Sequence, residues 1–383
     1  MKKTDLMIFI MMLGTFGVLS TEMGMIGILP QTAQFFNVSI DKAGLFVSLF
    51  AVIIAASGLV LPLVCSRYDR KKVFLLSLGL FVIFNIIGAF MTEFYPALIC
   101  RLIPAFFMPV YCSISLTAAG EIVPPDEAQD AISRVIMGVS AGMIVGVPIA
   151  AFFASFYGFK AATLWFAFVN LLGFIATLIW FPSLPGKEES YSDQLKGAFG
   201  GLFFISIIGV ILLNCGMFLS YTYISEFLQG VTHIVRLDLT ITLFVYGIFS
   251  IIGNWLGGKL LSRNANKLVL SIPFMASAIF LILFFIGALK IPVLICIPFW
   301  GVLAGIMNDI LPYWIVSAVP QAPEFANGVF LSMSNVGVTI GTSIGGWLIV
   351  TYATQYIFLG SIAVLMLAFL AVLSRVKIFD VSS

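Results

Sequence analysis

Apolar stretches long enough to cross a lipid bilayer run through almost the whole chain. A spanning helix takes about 20 mostly apolar residues, and stretches of that kind recur from Leu6 to Leu373 of the 383 residues, separated by polar or Pro/Gly segments. Apolar residues make up 61% of the chain and charged residues 9%, against roughly 25% charged in soluble domains. The sequence therefore predicts a polytopic membrane protein with no room for a soluble catalytic domain.

The stretches form two groups of six. The first six predicted spans cover residues 6–29, 43–65, 73–91, 95–119, 131–156 and 161–181, and the second six cover 198–223, 239–261, 268–289, 291–316, 327–351 and 356–373. Backbone groups in lipid need partners within their own segment, so the spans are predicted to be α-helices. We expect a six-helix bundle in residues 1–181, a cytoplasmic linker in 182–197 and a second six-helix bundle in 198–383.

The two groups also share short patterns at a nearly constant distance. Residues 66–71 (SRYDRK) recur as residues 262–267 (SRNANK), 196 residues later, and a Val-Pro pair at 123–124 recurs at 319–320. Three glycines at four-residue intervals, Gly138, Gly142 and Gly146, are matched by Gly337, Gly341 and Gly345 at an offset of 199. Such pseudo-repeats indicate a duplicated six-helix unit, an arrangement typical of secondary transporters.

The basic residues indicate the orientation. If both termini lie in the cytoplasm, 14 of the 19 Lys and Arg residues fall on the cytoplasmic side of the twelve spans and only four on the other side. Basic residues collect on the cytoplasmic side of bacterial-type membranes. We therefore expect a multi-pass protein of the bacterial inner (plasma) membrane with both termini in the cytoplasm.

Four sequence motifs resemble one transporter family. The segment from Gly58 to Lys71 is similar to that family's glycine-rich helix end followed by D-R-x-G-R-K: Arg67, Arg70 and Lys71 match, whereas Ser66, Pro62 and Asp69 replace the usual Asp and Gly residues. A second motif is residues 21–30 (TEMGMIGILP), which are similar to T-E-F-x-x-x-G-L-L-P. A third is Arg101, which matches the Arg of R-x-x-Q-G, whereas Pro104 and Ala105 replace its Gln and Gly. The fourth is formed by the glycines 138, 142 and 146 with Pro148, which are similar to an antiporter motif.

On these motifs the chain resembles the major facilitator superfamily over its whole length, and specifically its drug/sugar:proton antiporter branch, near arabinose- or purine-efflux members. The resemblance implies a two-bundle, twelve-helix fold and a conformational-switch loop at Arg67, Asp69, Arg70 and Lys71. It also implies that spans 1, 4, 7 and 10 line the substrate cavity. For Gly138, Gly142, Gly146 and Pro148 it implies close helix packing between the halves, with general tight packing as the alternative.

Glu22, Arg101 and Asp309 are ionisable residues well inside predicted spans. Each costs roughly 2.5 to 3.5 kcal/mol at a helix centre, so such residues face protein or a wet cavity. Glu22 and Arg101 lie at a similar depth in spans 1 and 4. Burial favours the neutral acid and a nearby guanidinium favours the carboxylate, so we predict that Glu22 couples transport to a proton. The alternative is a permanent Glu22–Arg101 ion pair.

Asp309 lies in the inner half of span 10, beside Asn308. It could receive a cationic substrate or a second proton. The alternative is a carboxyl that only bonds a neighbouring helix. The resemblance implies six further substrate contacts besides Asp309. They are Met25, Tyr111, Asn214, Phe218, Tyr221 and Trp300. Met and aromatic side chains suit a site that repacks around varied ligands. The alternative for each of them is core or lipid-facing bulk.

The acidic cluster Glu121, Asp126, Glu127 and Asp130 lies near the basic loop and could exchange ion pairs with Arg67, Arg70 and Arg134, or simply be solvated. The five cysteines are scattered singly and the one histidine, His233, falls in a loop, so neither a disulfide framework nor a metal site is expected.

The function indicated is a secondary active transporter that exports small amphipathic drugs, sugars or nucleoside-like compounds in exchange for protons. It is expected to work by alternating access, as a monomer in the lipid bilayer. No GxxxxGK[ST] phosphate-binding motif occurs, so ATP is not expected as the direct energy source. We expect no enzyme activity, no catalytic residues, no cofactor and no nucleic-acid partner. The alternative is an importer or uniporter on the same scaffold.

Overall fold

The computed structural model of the chain describes residues 3–124, 127–186, 200–320 and 323–379, and within these ranges the regular structure is helical throughout. The first helices are α1 (Lys3–Gly27), α2 (Leu29–Phe36), α3 (Ile40–Ser57), α4 (Leu61–Ser66), α5 (Arg70–Phe90), α6 (Phe94–Ala105), α7 (Met108–Glu121) and α8 (Ala128–Trp180). The remainder are α9 (Gly201–Tyr221), α10 (Ile224–Glu226), a π-helical turn (Phe227–Val231), α11 (Arg236–Ile286), α12 (Lys290–Val316), α13 (Pro323–Thr351) and α14 (Tyr356–Phe379).

The described helices account for the predicted twelve spans. Eleven helical segments in the described ranges are long and apolar enough to cross a membrane. The longest of them, Asp130–Trp180, is broken at Gly158 (φ 82°, ψ 179°) and so makes two spans. This backbone conformation is accessible essentially only to glycine. The predicted fold class, an all-α membrane protein of twelve helices, is confirmed.

Three predicted spans contain breaks that the hydropathy pattern alone does not show. The first span ends at Gly27 and is followed by the separate helix α2, the second divides into α3 and α4, and the fourth divides into α6 and α7. In each case a proline, Pro30, Pro62 or Pro109, stands in the first two positions of the later helix. Proline is suited to those positions because its fixed φ is helical and it has no N–H to leave unpaired.

Packing divides the chain into two compact units, Met1–Val38 with Ala56–Ser190, and Ser39–Ala55 with Tyr191–Ser383. In the first unit α1 packs along α8, and α5 also packs on α8. In the second, α9 packs between α13 and α14, and α11 packs on α12. Most of α3 groups with the second unit. Residues 187–197 of the predicted linker, and 198–199 of the predicted seventh span, lie outside the described residues, and the predicted domain limits stay a prediction.

The glycine stripes make equivalent contacts in the two units. A Cβ on Gly142 would meet the carbonyl oxygen of Phe16 in α1 at 2.8 Å, and a Cβ on Gly341 would meet the carbonyl carbon of Cys215 in α9 at 3.2 Å. Phe16 and Cys215 are 199 residues apart, as are the two glycines. The flanking glycines pair in the same way, Gly138 with Met12, Gly146 with Ser20, Gly337 with Ile211 and Gly345 with Leu219. The duplicated pattern therefore corresponds to a duplicated backbone contact.

A second repeated feature is a helix cap. Asp69 accepts a hydrogen bond from the backbone N–H of Lys72 (3.1 Å) at the start of α5. In the second unit Asn264 breaks the regular geometry of α11 (φ −161°, ψ 90°) and accepts from the N–H of Lys267 (2.9 Å). The two caps are 195 residues apart, one fewer than the offset between the SRYDRK and SRNANK segments. Both side chains satisfy a donor at a helix start.

We predict that Gly142→Ala destabilises the protein, whereas Gly258→Ala does not. The added Cβ at position 142 would press on the backbone of α1, and relieving such overpacking costs about 1–3 kcal/mol. At Gly258, also within a helix, a Cβ meets nothing within 4 Å. The apparent Tm of the purified protein in detergent measures the difference. Equal Tm values for the two variants would contradict the proposed close contact of α1 with α8.

Candidate functional site

Glu22 and Arg101 are brought together in the first unit. Both are buried, with 8% and 7% of their surfaces exposed. Arg101 on α6 donates from Nη2 to the backbone carbonyl oxygens of Thr21 (3.0 Å) and Glu22 (3.1 Å) on α1. Within the described part of the chain, Glu22 Oε2 is buried without a hydrogen-bond partner. The guanidinium is thus anchored on the α1 backbone beside a carboxyl oxygen that keeps free acceptor capacity.

Asn170 of α8 holds the same turn of α1. Its Nδ2 donates to Thr21 Oγ1 (2.8 Å), to the carbonyl of Gly17 (3.2 Å) and to the carbonyl of Phe166 within its own helix (2.8 Å). Thr21 Oγ1 in turn donates to the carbonyl of Gly17 (2.9 Å). Asn170 was not among the predicted site residues, although a polar amide within an apolar span was a signal that could have found it.

Met25 and Tyr111 are both buried in the first unit, and they lie at different levels. Met25 is one turn beyond Glu22 on α1. The Tyr111 ring lies against Gly14 of α1 and packs on Phe74 with ring centroids 4.9 Å apart. Gly14 is eight residues from Glu22, about 12 Å along the helix. The Tyr111 ring is therefore buried between α1 and α5.

Asp309 has a polar partner on the neighbouring helix. The side-chain amide of Asn254 on α11 faces the Asp309 carboxylate on α12. With Nδ2 oriented towards the carboxylate, it donates to both carboxylate oxygens, and its distance to Oδ2 is 2.9 Å. Gly257 allows this approach, because a Cβ there would lie 2.6 Å from Asp309 Oδ2. This contact is the kind expected if Asp309 bonds a neighbouring helix. Asn254 is a second intramembrane amide that the sequence analysis did not single out.

Phe218, Tyr221 and Trp300 belong to one aromatic cluster in the second unit. Tyr221 packs edge-on to Phe218 (5.6 Å between ring centroids) and to Trp300 (6.5 Å). Tyr246 of α11, which the sequence analysis did not nominate, stacks on Tyr221 at 5.0 Å and packs edge-on to Trp300 at 5.7 Å. Trp300 is 1% exposed, and in the described part of the chain its indole Nε1 has no hydrogen-bond partner.

Asn214 joins two helices of the second unit. Its Nδ2 donates to Ser334 Oγ on α13 and to the carbonyl of Val210 in its own helix, both at 3.2 Å. The amide of Asn214 thus links α9 to α13.

The predicted switch loop is tied to two neighbouring segments. The buried Arg70 pairs with Glu121 at the end of α7, with Nη2 2.5 Å from Oε2, and its backbone N–H donates to the carbonyl of Leu184 (2.9 Å). Lys71 Nζ donates to the carbonyl of Leu178 (3.0 Å).

The other residues of the predicted switch loop make local contacts. Asp69 accepts a hydrogen bond from the Ser183 hydroxyl and also caps α5. Ser66, which replaces the usual aspartate, donates to a carbonyl of its own helix. Arg67 is exposed.

The acidic cluster makes two kinds of contact. Glu121 pairs with Arg70, and Asp130 pairs with Arg134 at 2.7 Å, one turn along α8. Arg134 also contacts Asp5 at 3.2 Å. Asp126 lies outside the described residues.

Gly138, Gly142 and Gly146 lie against α1, within the first unit. This placement matches the general-packing alternative for the glycine motif. Pro148 is buried inside α8, two residues after the last of these glycines.

The comparisons with known proteins agree with this fold. The family model described as "Major Facilitator Superfamily" matches residues 11–324. The chain therefore belongs to the major facilitator superfamily and is a membrane transporter of small solutes.

Individual relatives match over most of their length. The chain is 29% identical to the uncharacterized MFS-type transporter YtbD of Bacillus subtilis (86% of this chain, 85% of the relative). It is 26% identical to the probable sugar efflux transporter of Helicobacter acinonychis (93% and 92%). The crystal structure of a point mutant of the nucleoside transporter NupG has a TM-score of 0.78 at 15% identity, covering 97% of this chain and 99% of that one. This last likeness supports the fold alone.

We predict that Asn170→Leu lowers the stability of the protein and that Asn85→Leu does not. Asn170 donates hydrogen bonds to α1. Asn85 is also buried, but its Nδ2 has no hydrogen-bond partner in the described part of the chain. Removing a paired buried amide costs about 1–3 kcal/mol, whereas removing an unpaired one costs little. Thermal unfolding of the purified variants measures both. A Tm loss for Asn85→Leu as large as that for Asn170→Leu would contradict this assignment.

Proposed function

We propose that the chain is a proton-coupled antiporter that exports a small amphipathic, sugar-like or nucleoside-like solute by alternating access. The observation that carries this proposal is the Glu22 site: a buried carboxyl oxygen without a partner in the described chain, beside a guanidinium that is bonded to the α1 backbone. The site contains a group that can bind a proton and a group whose positive charge acts on it.

Two opposing effects act on the Glu22 proton. Burial disfavours the ionised carboxylate, while the positive charge of Arg101 favours it. Arg101 also donates to two backbone carbonyls of α1, which help to hold it beside Glu22. A polar substrate that bonds to Arg101 or to the carboxylate changes this balance. Proton and substrate then compete for the same group, which is the requirement for exchange transport.

The substrate class rests on the chemistry of the second unit and on the named relatives. The partly exposed Phe218 and Tyr221 offer flat apolar surfaces that suit sugar or nucleobase rings, and behind them the buried Trp300 has an Nε1 donor without a partner in the described chain. Relatives carry the name probable sugar efflux transporter. For Asp309 we propose a role in receiving a cationic group or a second proton while the Asn254 amide holds it in place.

The location and orientation are also proposed. We propose an inner-membrane location with both termini cytoplasmic, because this orientation puts most basic residues on the cytoplasmic side. The Arg70–Glu121 pair and the cap at Asp69 are proposed to be the contacts that change during the transport cycle. The protein is proposed to act as a monomer.

We predict that Glu22→Gln abolishes proton-coupled transport. The amide keeps the size of the side chain and cannot exchange a proton. Everted membrane vesicles with an imposed pH gradient are given a panel of cationic dyes, neutral aromatic drugs, pentoses and purine nucleosides. At least one compound is expected to release protons with the wild type and not with Glu22→Gln. Glu93→Gln, at an exposed glutamate at the start of α6, is the matched control and should behave like wild type.

Retained proton release by Glu22→Gln would contradict the coupling role. Accumulation of a compound without proton movement in the wild type would instead favour the alternative, an importer or uniporter in which Glu22 and Arg101 bind only the ligand.

We predict that Asp309→Asn lowers the transport of cationic compounds about tenfold or more. The variant loses the negative charge, and a charge-assisted hydrogen bond contributes about 1.5–3 kcal/mol. Neutral substrates should be unaffected, because the amide still bonds to Asn254. The readout is uptake of labelled cationic and neutral compounds by the same vesicles. Unchanged transport of every cationic substrate would assign Asp309 to helix packing alone.

A further inference from the structure

A cavity with several polar lining groups lies in the second unit, away from the Asp309 and Trp300 sites. It has a volume of about 230 Å³ and is lined by the beginning of α3, by Tyr223 in the turn between α9 and α10, and by the last turns of α13. Asp41, Tyr223, Ser343 and Trp347 supply its polar and aromatic walls. The functional sites described above use none of these residues.

The cavity presents hydrogen-bond acceptors. Tyr223 Oη donates its proton to the carbonyl of Thr342 (2.8 Å), and Ser343 Oγ donates to the carbonyl of Thr339 (2.9 Å). Both hydroxyls therefore have only lone pairs left for a ligand. Asp41 Oδ1 is buried, and no residue in the described ranges donates a hydrogen bond to it. A ligand that fits these oxygens must be a donor, and a carboxylate favours a cationic one.

The aromatic side chains place the cavity at a membrane interface. Trp347 is 57% exposed and packs edge-on to Tyr352, which is 61% exposed, with ring centroids 6.1 Å apart. Both lie where α13 ends, and Asp41 lies where α3 begins. Exposed Trp and Tyr residues at helix ends mark the headgroup level of a bilayer. An indole face also attracts a cation.

The charge pattern fits a zwitterion. Lys42, the residue after Asp41, is exposed in the same turn of α3. An acidic group within a cavity and a basic group beside it match an ammonium joined to a phosphate.

We propose that this cavity binds a primary ammonium group, carried by an aminophospholipid headgroup at the interface or by a free amine. The ammonium donates to Asp41 Oδ1 and to the Tyr223 and Ser343 hydroxyl oxygens, with Trp347 beside it. A quaternary ammonium has no N–H to donate, so the site distinguishes ethanolamine from choline headgroups. This inference does not depend on the proposed antiport.

The purified full chain in detergent is titrated with lysophosphatidylethanolamine, with lysophosphatidylcholine and with free ethanolamine, and adducts are quantified by native mass spectrometry. We expect the ethanolamine lipid to bind at least about fivefold more tightly than the choline lipid. Asp41→Asn should weaken binding of the ethanolamine lipid by about tenfold or more and remove the selectivity. Glu93→Gln, which changes the net charge equally at an exposed position, should leave both affinities as in wild type.

Trp347→Leu is a second variant at an exposed position, where folding is not at risk, and it should weaken binding of both lipids. Competition by free ethanolamine would show that a free amine also occupies the site, and its absence would show that the lipid is the occupant; either result supports the ammonium chemistry. Equal affinity for the two lipids in wild type, or full selectivity retained in Asp41→Asn, would overturn the proposal.

Discussion

The backbone contact between paired helices is the constraint on which the rest of the fold depends. Lipid tails are as apolar as leucine, so helices in a bilayer associate through close packing and polar bonds. Here three glycines of α8 lie directly on the backbone of α1, and three glycines of α13 lie on α9 with the same spacing. Because the glycines leave no side chain between the helices, both pairs are fixed in register along their lengths.

This register determines where the polar groups fall. Beside the glycine stripe, Asn170 reaches the carbonyl of Gly17 and the hydroxyl of Thr21 on α1, and Arg101 reaches the carbonyls of Thr21 and Glu22 from α6. In α9 the residue 199 positions after Glu22 is Tyr221, which lies in the aromatic cluster. At this equivalent position the first unit thus carries an ionisable residue and the second unit carries an aromatic one.

Much of the fold could be predicted from the sequence, because the constraint is strong and local. Twelve apolar stretches, including the separation of residues 131–156 from 161–181, and the repeated glycines are visible as patterns. The breaks between α1 and α2 or α6 and α7 were missed because hydropathy does not register a proline that starts a new helix within an apolar run. The depth of Glu22 and Arg101 could be counted along their helices. The amides that bond to Thr21 and to Asp309 could not be predicted, since Asn170 and Asn254 approach from other helices and only the packing selects which intramembrane amides are paired.

The central claim is that Glu22 exchanges a proton within the buried site of the first unit. Infrared difference spectroscopy of the purified protein during a pH titration tests it most directly, since a protonated carboxyl group has its own C=O stretching band. We expect a titrating band in wild type that is absent from Glu22→Gln and retained in Glu93→Gln. An identical titrating band in wild type and Glu22→Gln would contradict the claim and leave Glu22 as a fixed partner of Arg101.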